Sequence, residues 1–199
     1  MTPFFITGLP RSRTAWMANW LTTPVSRCFH DLLGRATTWP EFEGRLTGAI
    51  REPGDTAAVR GDSDSGLLFT VAKMKQCWPA ARWLLIDRPF DEAWESYVRF
   101  VRREKPGPRF GTDGRTRKAL AEGFLRAEEA LFGEHDAPVL KVRYDALNDS
   151  KVLSSIWRHC MPAVRENPKR TLEMKRRNIQ RADALQVTVD PETFRKEFA

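Results

Sequence analysis

The chain contains few cysteines and few histidines, three of each. The cysteines lie far apart, and none belongs to a C-x-x-C pair: they are Cys28, Cys77 and Cys160. This spacing argues against a zinc ribbon, a redox C-x-x-C motif or a disulfide-rich scaffold. The odd number and the wide spacing predict free thiols in a reducing compartment.

Long hydrophobic runs are also missing from the sequence. No apolar stretch approaches the ~18 residues of a membrane-spanning helix. The first apolar run begins at Phe4, too close to Met1 for a secretory signal peptide to precede it. We therefore expect a soluble, cytoplasmic protein without a membrane span.

Charged residues are plentiful, with 33 Lys and Arg against 26 Asp and Glu and a net charge of +7. Hydrophobic residues make up 41% of the 199 residues, which is enough for the core of one domain spanning residues 1–199. The positive charge favours an anionic partner, which could be a phosphorylated cofactor, an acidic substrate or a nucleic acid.

Short apolar stretches alternate with amphipathic ones along the chain. Strands are predicted from Phe4 and over 24–29, 57–61, 82–87 and 138–144; helices are predicted over 16–21, 38–50, 67–76, 91–103, 115–132, 150–160 and 168–178. Residues 105–114 are predicted to form a loop, and no element is predicted for 182–199. This order predicts an α/β fold of the three-layer, P-loop type, with a central parallel sheet of about five strands flanked by helices.

Polar and charged residues follow four of the predicted strands. In open parallel sheets, ligands bind at the carboxyl ends of the strands. The rule selects four segments that we expect to converge on one site: Gly8–Thr14, His30, Asp62–Ser65 and Arg88.

The first of these segments, Gly8–Thr14, combines a Gly/Pro turn with two arginines and two hydroxyls ahead of a predicted helix. Backbone N–H groups and the positive end of the helix dipole suit an anion there, and arginines add forked donors. In the Walker A pattern G-x-x-x-x-G-K-[ST], Gly8 would be the first glycine, but Thr14 and Ala15 replace the lysine and the magnesium-binding hydroxyl. A conventional ATP- or GTP-hydrolysing site is therefore not expected.

The same loop resembles the 5′-phosphosulfate loop of the sulfotransferase family, P-[KR]-S-G-T-x-[WL]. It reads Pro10-Arg11-Ser12-Arg13-Thr14-Ala15-Trp16, with Arg13 at the position of the family's glycine. A second segment resembles the family's R-P-x-x-[DE]-x-x-x-S motif, in which the serine follows the arginine by eight positions: Arg88-Pro89-Phe90-Asp91-Glu92-Ala93-Trp94-Glu95-Ser96.

A third segment, Val142–Leu147 followed by Val152–Ile156, resembles the family's V-x-Y-E-D-L…V-L-x-x-I sequence. The three matches occur in the family's order. The region after Pro162 has no clear counterpart, and Lys175-Arg176-Arg177 is only a weak substitute for the family's late R-K-G motif. The chain thus resembles a divergent, bacterial or phage-like sulfotransferase.

This resemblance implies a donor, 3′-phosphoadenosine 5′-phosphosulfate (PAPS), and a product, adenosine 3′,5′-bisphosphate (PAP). It implies transfer of a sulfuryl group, without a metal, to a hydroxyl or amine of a small-molecule or glycan acceptor. Arg11 would neutralise the leaving phosphate with help from Ser12 and Thr14. The implied donor-binding residues are Pro10, Arg11, Ser12, Arg13, Thr14, Ala15, Trp16 (stacked on the adenine), Arg88 and Ser96 (both at the 3′-phosphate).

A general base is also required, and the sequence offers three candidates after the second and third strands. His30 is chemically suitable because an imidazole exchanges protons near neutral pH, and Asp31 stands beside it. Asp62 and Asp64 are the other candidates, and either could instead cap a helix.

The sequence leaves two other functions open. One is a P-loop kinase or phosphotransferase with a degenerate loop, against which the missing lysine counts. The other is a non-catalytic nucleotide- or nucleic-acid-binding module, which the basic helix at 168–178 would allow. Because such charge runs usually form a solvated face, we do not expect a nucleic-acid partner. The sequence indicates neither the acceptor nor the oligomeric state.

Overall fold

A single parallel sheet forms the centre of the computed structural model, which describes residues 2–104, 111–133 and 138–176. The strands in these ranges are β1 (Phe4–Gly8), β2 (Ser26–His30), β3 (Val59–Ser63), β4 (Arg82–Asp87) and β5 (Val139–Arg143). Their spatial order is β2-β3-β1-β4-β5, and every neighbouring pair is parallel. The predicted α/β fold with a parallel sheet of about five strands is confirmed.

Helices connect the strands and cover both faces of the sheet. They are α1 (Thr14–Leu21), α2 (Leu32–Arg35), α3 (Trp39–Thr47), α4 (Val71–Cys77), α5 (Phe90–Glu104), α6 (Gly114–Phe132), α7 (Ser150–Cys160) and α8 (Pro168–Arg176). Two 3₁₀ turns, Ser65–Phe69 and Tyr144–Asn148, lie between them. The Thr38 side chain accepts the Glu41 N–H and so caps α3, as the sequence predicts.

The central strand β1 is buried on both sides. Phe4 and Ile6 contact the core beneath α1 and α7, whereas Phe5 contacts the opposite core, with its ring 4.7 Å from that of Trp83. Gly61 on the neighbouring strand leaves room for Phe4, because a Cβ there would lie 2.4 Å from the Phe4 ring. This burial on both faces accounts for the unbroken apolar run at the start of β1.

Some element boundaries differ from the prediction. β3 was expected over 57–61 but runs from Val59 to Ser63, so Asp62 and Ser63 are strand residues. Both side chains are fully buried, and each makes a hydrogen bond: Asp62 Oδ1 accepts from Leu32 N, and Ser63 Oγ donates to the Thr14 carbonyl. Tertiary partners of this kind override the low strand propensity of Asp and Ser.

Two further differences concern helices. The helix expected over 67–76 is a 3₁₀ turn followed by α4, and the short helix α2 was not predicted. Residues 105–110 of the predicted loop, His135 and the segment 182–199 lie outside the described residues. Within the described parts of the chain, no helix combines the length and hydrophobicity needed to cross a bilayer.

Candidate functional site

The carboxyl ends of the five strands meet at one edge of the sheet, around the loop that follows β1. The pairings bring Gly8 beside Ile86, His30 beside Ser63, and Asp87 beside Arg143. The predicted convergence of the four polar segments is therefore confirmed by the sheet order.

The loop between β1 and α1 is a tight turn. Ser12 N donates to the Leu9 carbonyl at 3.1 Å, and Met17 N donates to the Arg13 carbonyl at 2.9 Å as α1 begins. Gly8 is required by close packing, because a Cβ there would lie 2.7 Å from the Ile86 carbonyl oxygen. Arg11 and Arg13 both have left-handed backbones, with φ of 70° and 63°. Glycine adopts such a conformation without strain, so Arg13 adds a side chain where the backbone suits glycine.

The Arg13 side chain extends towards the turn that follows β5. Its Nη1 donates to Asn148 Oδ1 at 2.9 Å, and its guanidinium lies 5.3 Å from the centre of the Tyr144 ring. Lys175 Nζ donates to the Asn148 carbonyl and to Ser150 Oγ, both at 2.7 Å, so α8 also reaches this turn.

Arg88 joins the end of β4 to the same loop. Its Nη1 donates to the Arg11 carbonyl at 2.6 Å, and its guanidinium lies 4.2 Å from the Tyr144 ring. Arg11 in turn lies over the Phe100 ring at 4.5 Å. Among the described residues, neither Arg13 nor Arg88 forms an ion pair with a carboxylate. Their charges are therefore balanced by aromatic rings and carbonyls rather than by anionic side chains.

Two buried polar atoms at this loop have no hydrogen-bond partner among the described residues: Ser12 Oγ and Arg88 Nε. Leaving such groups unpartnered costs about 1–3 kcal/mol each. The oxygens of phosphate or sulfate groups would accept hydrogen bonds from these atoms. The loop therefore fits a phosphate or sulfate group.

The remaining predicted donor-binding residues have different surroundings. Pro10 and Ala15 are buried within the loop and the first turn of α1. Ser96 is half-buried in the second turn of α5, the helix that follows Arg88, as the sequence predicts.

Trp16 lies in the core beneath α8. Its side chain is only 6% exposed, its ring is 5.4 Å from that of Trp20, and its indole N–H donates to the Met174 carbonyl at 2.9 Å. The predicted stacking of Trp16 on an adenine conflicts with this burial. The physical reason is that α8 covers the apolar face of α1.

His30 joins the loop to the space beside β2. Its Nε2 lies 3.4 Å from Thr14 Oγ1, and its Nδ1 lies 3.5 Å from Asp31 Oδ2. Asp31 has a left-handed backbone, with φ of 56°, and so turns the chain sharply from β2 into α2. With its hydrogen on Nδ1, facing the Asp31 carboxylate, the imidazole presents Nε2 as an acceptor.

Asp62 and Asp64 are fully buried, and both cap short helical segments. Asp62 Oδ1 accepts the N–H of Leu32, and Asp64 Oδ1 accepts that of Gly66 at 2.6 Å. Burial raises the pKa of the Asp62 carboxyl well above its usual range, and the nearby Asp64 charge adds to the shift. This capping is the alternative that the sequence left open for both aspartates.

A cavity of about 170 Å³ opens beside His30, between β2, α2 and α3. We call it the β2 cavity. Its lining combines charged groups (Arg27, Arg35, Arg45, Glu41 and Glu52) with apolar ones that include Leu32 and Ala36. His30 belongs to this lining and also contacts Thr14, so one side chain touches both the cavity and the loop.

Sequence reasoning did not assign site roles to Tyr144, Asn148 or Phe100, which hold the arginines. Tyr144 belongs to the third segment that resembles the sulfotransferase family, for which no site residue was predicted. The sequence did contain one signal for a site role: Tyr144 lies at the carboxyl end of β5, just as His30 lies at the carboxyl end of β2.

No protein-family model matches the chain, and no curated protein matches its sequence. Among solved structures, the fold is similar to the sulfotransferase domain from the curacin biosynthetic pathway, with a TM-score of 0.58, 10% identity, and coverage of 98% of this chain and 86% of that one. The fold is also similar to mouse sulfotransferase SULT7A1 complexed with PAP. The TM-score is 0.54 and the identity 16%, with coverage of 88% of this chain and 64% of that one. For a sulfotransferase from Alicyclobacillus acidocaldarius, the TM-score is 0.46 and the identity 13%, with coverage of 87% of this chain and 90% of that one. At such low identities, the similarity to the first two structures establishes the fold alone.

Proposed function

We propose that this chain, which has the α/β fold seen in sulfotransferases, transfers a sulfuryl group from PAPS to a hydroxyl or amine. One observation carries the proposal: Arg88 at the end of β4 donates to the Arg11 carbonyl at 2.6 Å. This hydrogen bond joins the two segments that resemble the family's 5′- and 3′-phosphate motifs. A donor with phosphates at both ends of its ribose suits such an arrangement.

The loop supplies the donors for the 5′-phosphosulfate. Ser12 Oγ is buried without a hydrogen-bond partner among the described residues, and Thr14 opens α1, whose dipole is positive at that end. We assign Arg11 to neutralise the leaving phosphate, and Arg13 to bind the same anionic group. Arg88 and Ser96 are assigned to the 3′-phosphate. Trp16 is left out of this set because α8 buries it.

In the transfer step, one bond to sulfur forms and one breaks. A bond forms between the acceptor oxygen or nitrogen and sulfur, while the bond between sulfur and the bridging phosphate oxygen breaks. The products are the sulfated acceptor and PAP. Negative charge develops on the bridging oxygen, and fixed donors in a dry site stabilise it best.

His30 is the base that this geometry favours, because it touches both Thr14 and the β2 cavity. Its Nε2 would take the acceptor proton, and the Asp31 carboxylate, 3.5 Å from Nδ1, would stabilise the resulting imidazolium. Asp62 suits this role less well, because its carboxyl is fully buried and its pKa is raised by that burial. We further propose that the chain acts as one domain in the cytoplasm.

Calorimetry of the full chain with PAP, without magnesium, tests the donor assignment. We expect Arg88→Ala to weaken PAP binding about 10- to 100-fold, because hydrogen bonds to charged groups contribute about 1.5–3 kcal/mol each. Arg99→Ala is the matched control, since Arg99 is an exposed arginine on α5 that pairs only with Glu95 among the described residues. That variant should bind PAP within about twofold of wild type.

The same titration with ATP and magnesium, and with a single-stranded oligonucleotide, separates the alternatives. Tighter binding of magnesium–ATP than of PAP would overturn the proposal in favour of a phosphotransferase. Tight binding of the oligonucleotide alone would favour a nucleic-acid module. For the base, His30→Ala should abolish turnover while leaving PAP affinity unchanged, and an unchanged rate would remove His30 from the mechanism.

A further inference from the structure

Two of the three arginines that line the β2 cavity, Arg27 and Arg45, form ion pairs with the two glutamates of its lining. Arg45 Nε lies 3.0 Å from Glu41 Oε1, and Arg45 Nη1 lies 3.5 Å from Glu52 Oε1. Arg27 Nη2 donates to Glu52 Oε2 at 2.7 Å, and its guanidinium lies 5.0 Å from the Phe29 ring. The pairs hold the charged groups in fixed positions around the cavity.

These pairs determine which kind of ligand suits the cavity. Hydrogen bonds from the backbone and hydroxyl of Thr37, together with one from Arg45, lower the pKa of Glu41, which therefore stays ionised. At Arg27, Arg45, Glu41 and Glu52, an anionic or cationic ligand would have to compete with an existing ion pair for its partner. A neutral ligand needs no such exchange.

A hydroxyl group can use the hydrogen-bonding capacity that remains. A guanidinium has five N–H donors and a carboxylate accepts about four hydrogen bonds, so the ion pairs described above leave donors and acceptors available on both groups. A hydroxyl both donates to a carboxylate and accepts from a guanidinium. Apolar side chains, Leu32 and Ala36, complete the lining and suit the C–H face of a saturated ring.

Size limits the ligand further. The cavity volume of about 170 Å³ is below the ~300–1,000 Å³ usual for drug-sized ligands. It accommodates a single ring unit, with any further part of the molecule outside. His30 at the inner wall would then meet one hydroxyl of that unit.

We propose, resting on the sulfuryl transfer above, that the acceptor is a small polyhydroxylated ring, either a sugar or a cyclitol, bound in the β2 cavity. One hydroxyl oxygen bonds to sulfur and releases its proton to His30 Nε2, while PAP leaves. The ring can be a free molecule or the terminal unit of a glycan, since both present the same hydroxyls.

The test uses the full chain with saturating PAP and saturation-transfer NMR on four probes: methyl glucoside, myo-inositol, 4-nitrophenol and butyrate. We expect signals from the two polyols only. Ala36→Phe, which fills the cavity, should reduce those signals at least about fivefold. Ala72→Phe is the control, because Ala72 is exposed on α4, and it should leave them unchanged.

A second variant keeps the inference testable if Ala36→Phe does not fold. Glu52→Gln removes the carboxylate shared by Arg27 and Arg45 at a side chain that is 44% exposed, so the fold should tolerate it. Polyol signals should fall here as well, while Glu95→Gln on α5 should not affect them. A trisaccharide that ends in glucose identifies the source: about tenfold tighter binding than methyl glucoside indicates a glycan, and equal binding a free sugar.

Either result of the trisaccharide comparison supports a polyol acceptor. The inference is overturned when 4-nitrophenol or butyrate binds and the polyols do not, when no probe binds, or when both cavity variants leave polyol binding unchanged. Each of these outcomes leaves PAP binding intact. Failure of the proposed function is recognised separately, because PAP itself would not bind.

Discussion

At the residue scale, position 13 combines a left-handed backbone with a long cationic side chain. The conformation costs an L-residue about 1–2 kcal/mol relative to the right-handed helix. The side chain gains a hydrogen bond to Asn148 and a contact with Tyr144. The loop therefore tolerates backbone strain at a position that directs positive charge towards the strand ends.

Replacing Arg13 by glycine and by alanine separates these two effects. Both variants remove the same side-chain contacts, but only glycine adopts φ of 63° without strain. We expect Arg13→Gly to be about 1 kcal/mol more stable than Arg13→Ala in urea denaturation. PAP affinity should fall equally in both. Equal stability of the two variants would contradict the left-handed backbone.

Asp62 is a second residue with an unusual environment. It is fully buried, its Oδ2 has no hydrogen-bond partner among the described residues, and its pKa is raised by burial. The folded state therefore holds this proton at pH values where the unfolded chain has released it. Stability must fall as the pH rises from the usual value of 3.8 towards the folded-state pKa.

We therefore expect Asp62→Asn to be more stable than wild type, by a margin that is larger at pH 8 than at pH 5. Urea denaturation at both values measures it. Asp145→Asn is a useful control, because Arg143 lowers the pKa of Asp145, so this carboxyl is ionised at both values and the effect of its replacement should be the same at pH 5 and pH 8. A margin for Asp62→Asn that shrinks as the pH rises would contradict the proposed protonation.

At the element scale, α8 completes the C-terminal end of α1. Arg170 Nε donates to the Trp20 carbonyl at 2.8 Å, and its Nη2 donates to the carbonyls of Asn19 and Thr22. The last turn of α1 has no basic residue of its own. Arg170 thus satisfies carbonyls that a helix end leaves open, and its charge opposes the negative end of the dipole.

Arg170→Leu should lower the free energy of unfolding by about 2–3 kcal/mol, because it leaves buried carbonyls without a donor. Lys169→Leu is the matched control on the same helix, since Lys169 is exposed, and it should change stability by less than about 0.5 kcal/mol. Chemical denaturation of the two variants measures the difference. Equal destabilisation by the two variants would contradict a specific contribution of the Arg170 hydrogen bonds to stability.

Regular elements were the most predictable part of the chain. β4 was predicted at its observed limits because four consecutive residues of its six are apolar, as in a doubly buried strand, and α7 because Asp149 and Ser150 mark its start. The element that covers Trp16 could not be predicted, since its hydrogen-bond partner, Met174, lies 158 residues further along. The extension of β3 through Asp62 likewise depends on Leu32, a partner from a helix with no sequence signal of its own.

At the scale of the whole molecule, the predictable part of the site follows from topology. Parallel strands place their carboxyl ends together, so the order of polar segments in the sequence was enough to group Gly8–Thr14, His30 and Arg88. What holds the arginines in place was not predictable. Tyr144 and Asn148 belong to the 3₁₀ turn after β5 and Phe100 belongs to α5, and only tertiary packing brings their side chains to the loop.

The position of β1 has a consequence for how the protein is made. β1 is the first of the five strands along the chain, yet it lies in the middle of the sheet between β3 and β4. During synthesis it has no strand partner until Val59–Ser63 has left the ribosome, and its second neighbour arrives later still. Phe4 and Phe5, which the folded sheet buries, stay exposed in the nascent chain through that interval. Unpaired apolar strands are prone to association. The nascent chain should therefore depend on chaperone binding at Phe4–Ile6 until β4 has been synthesised.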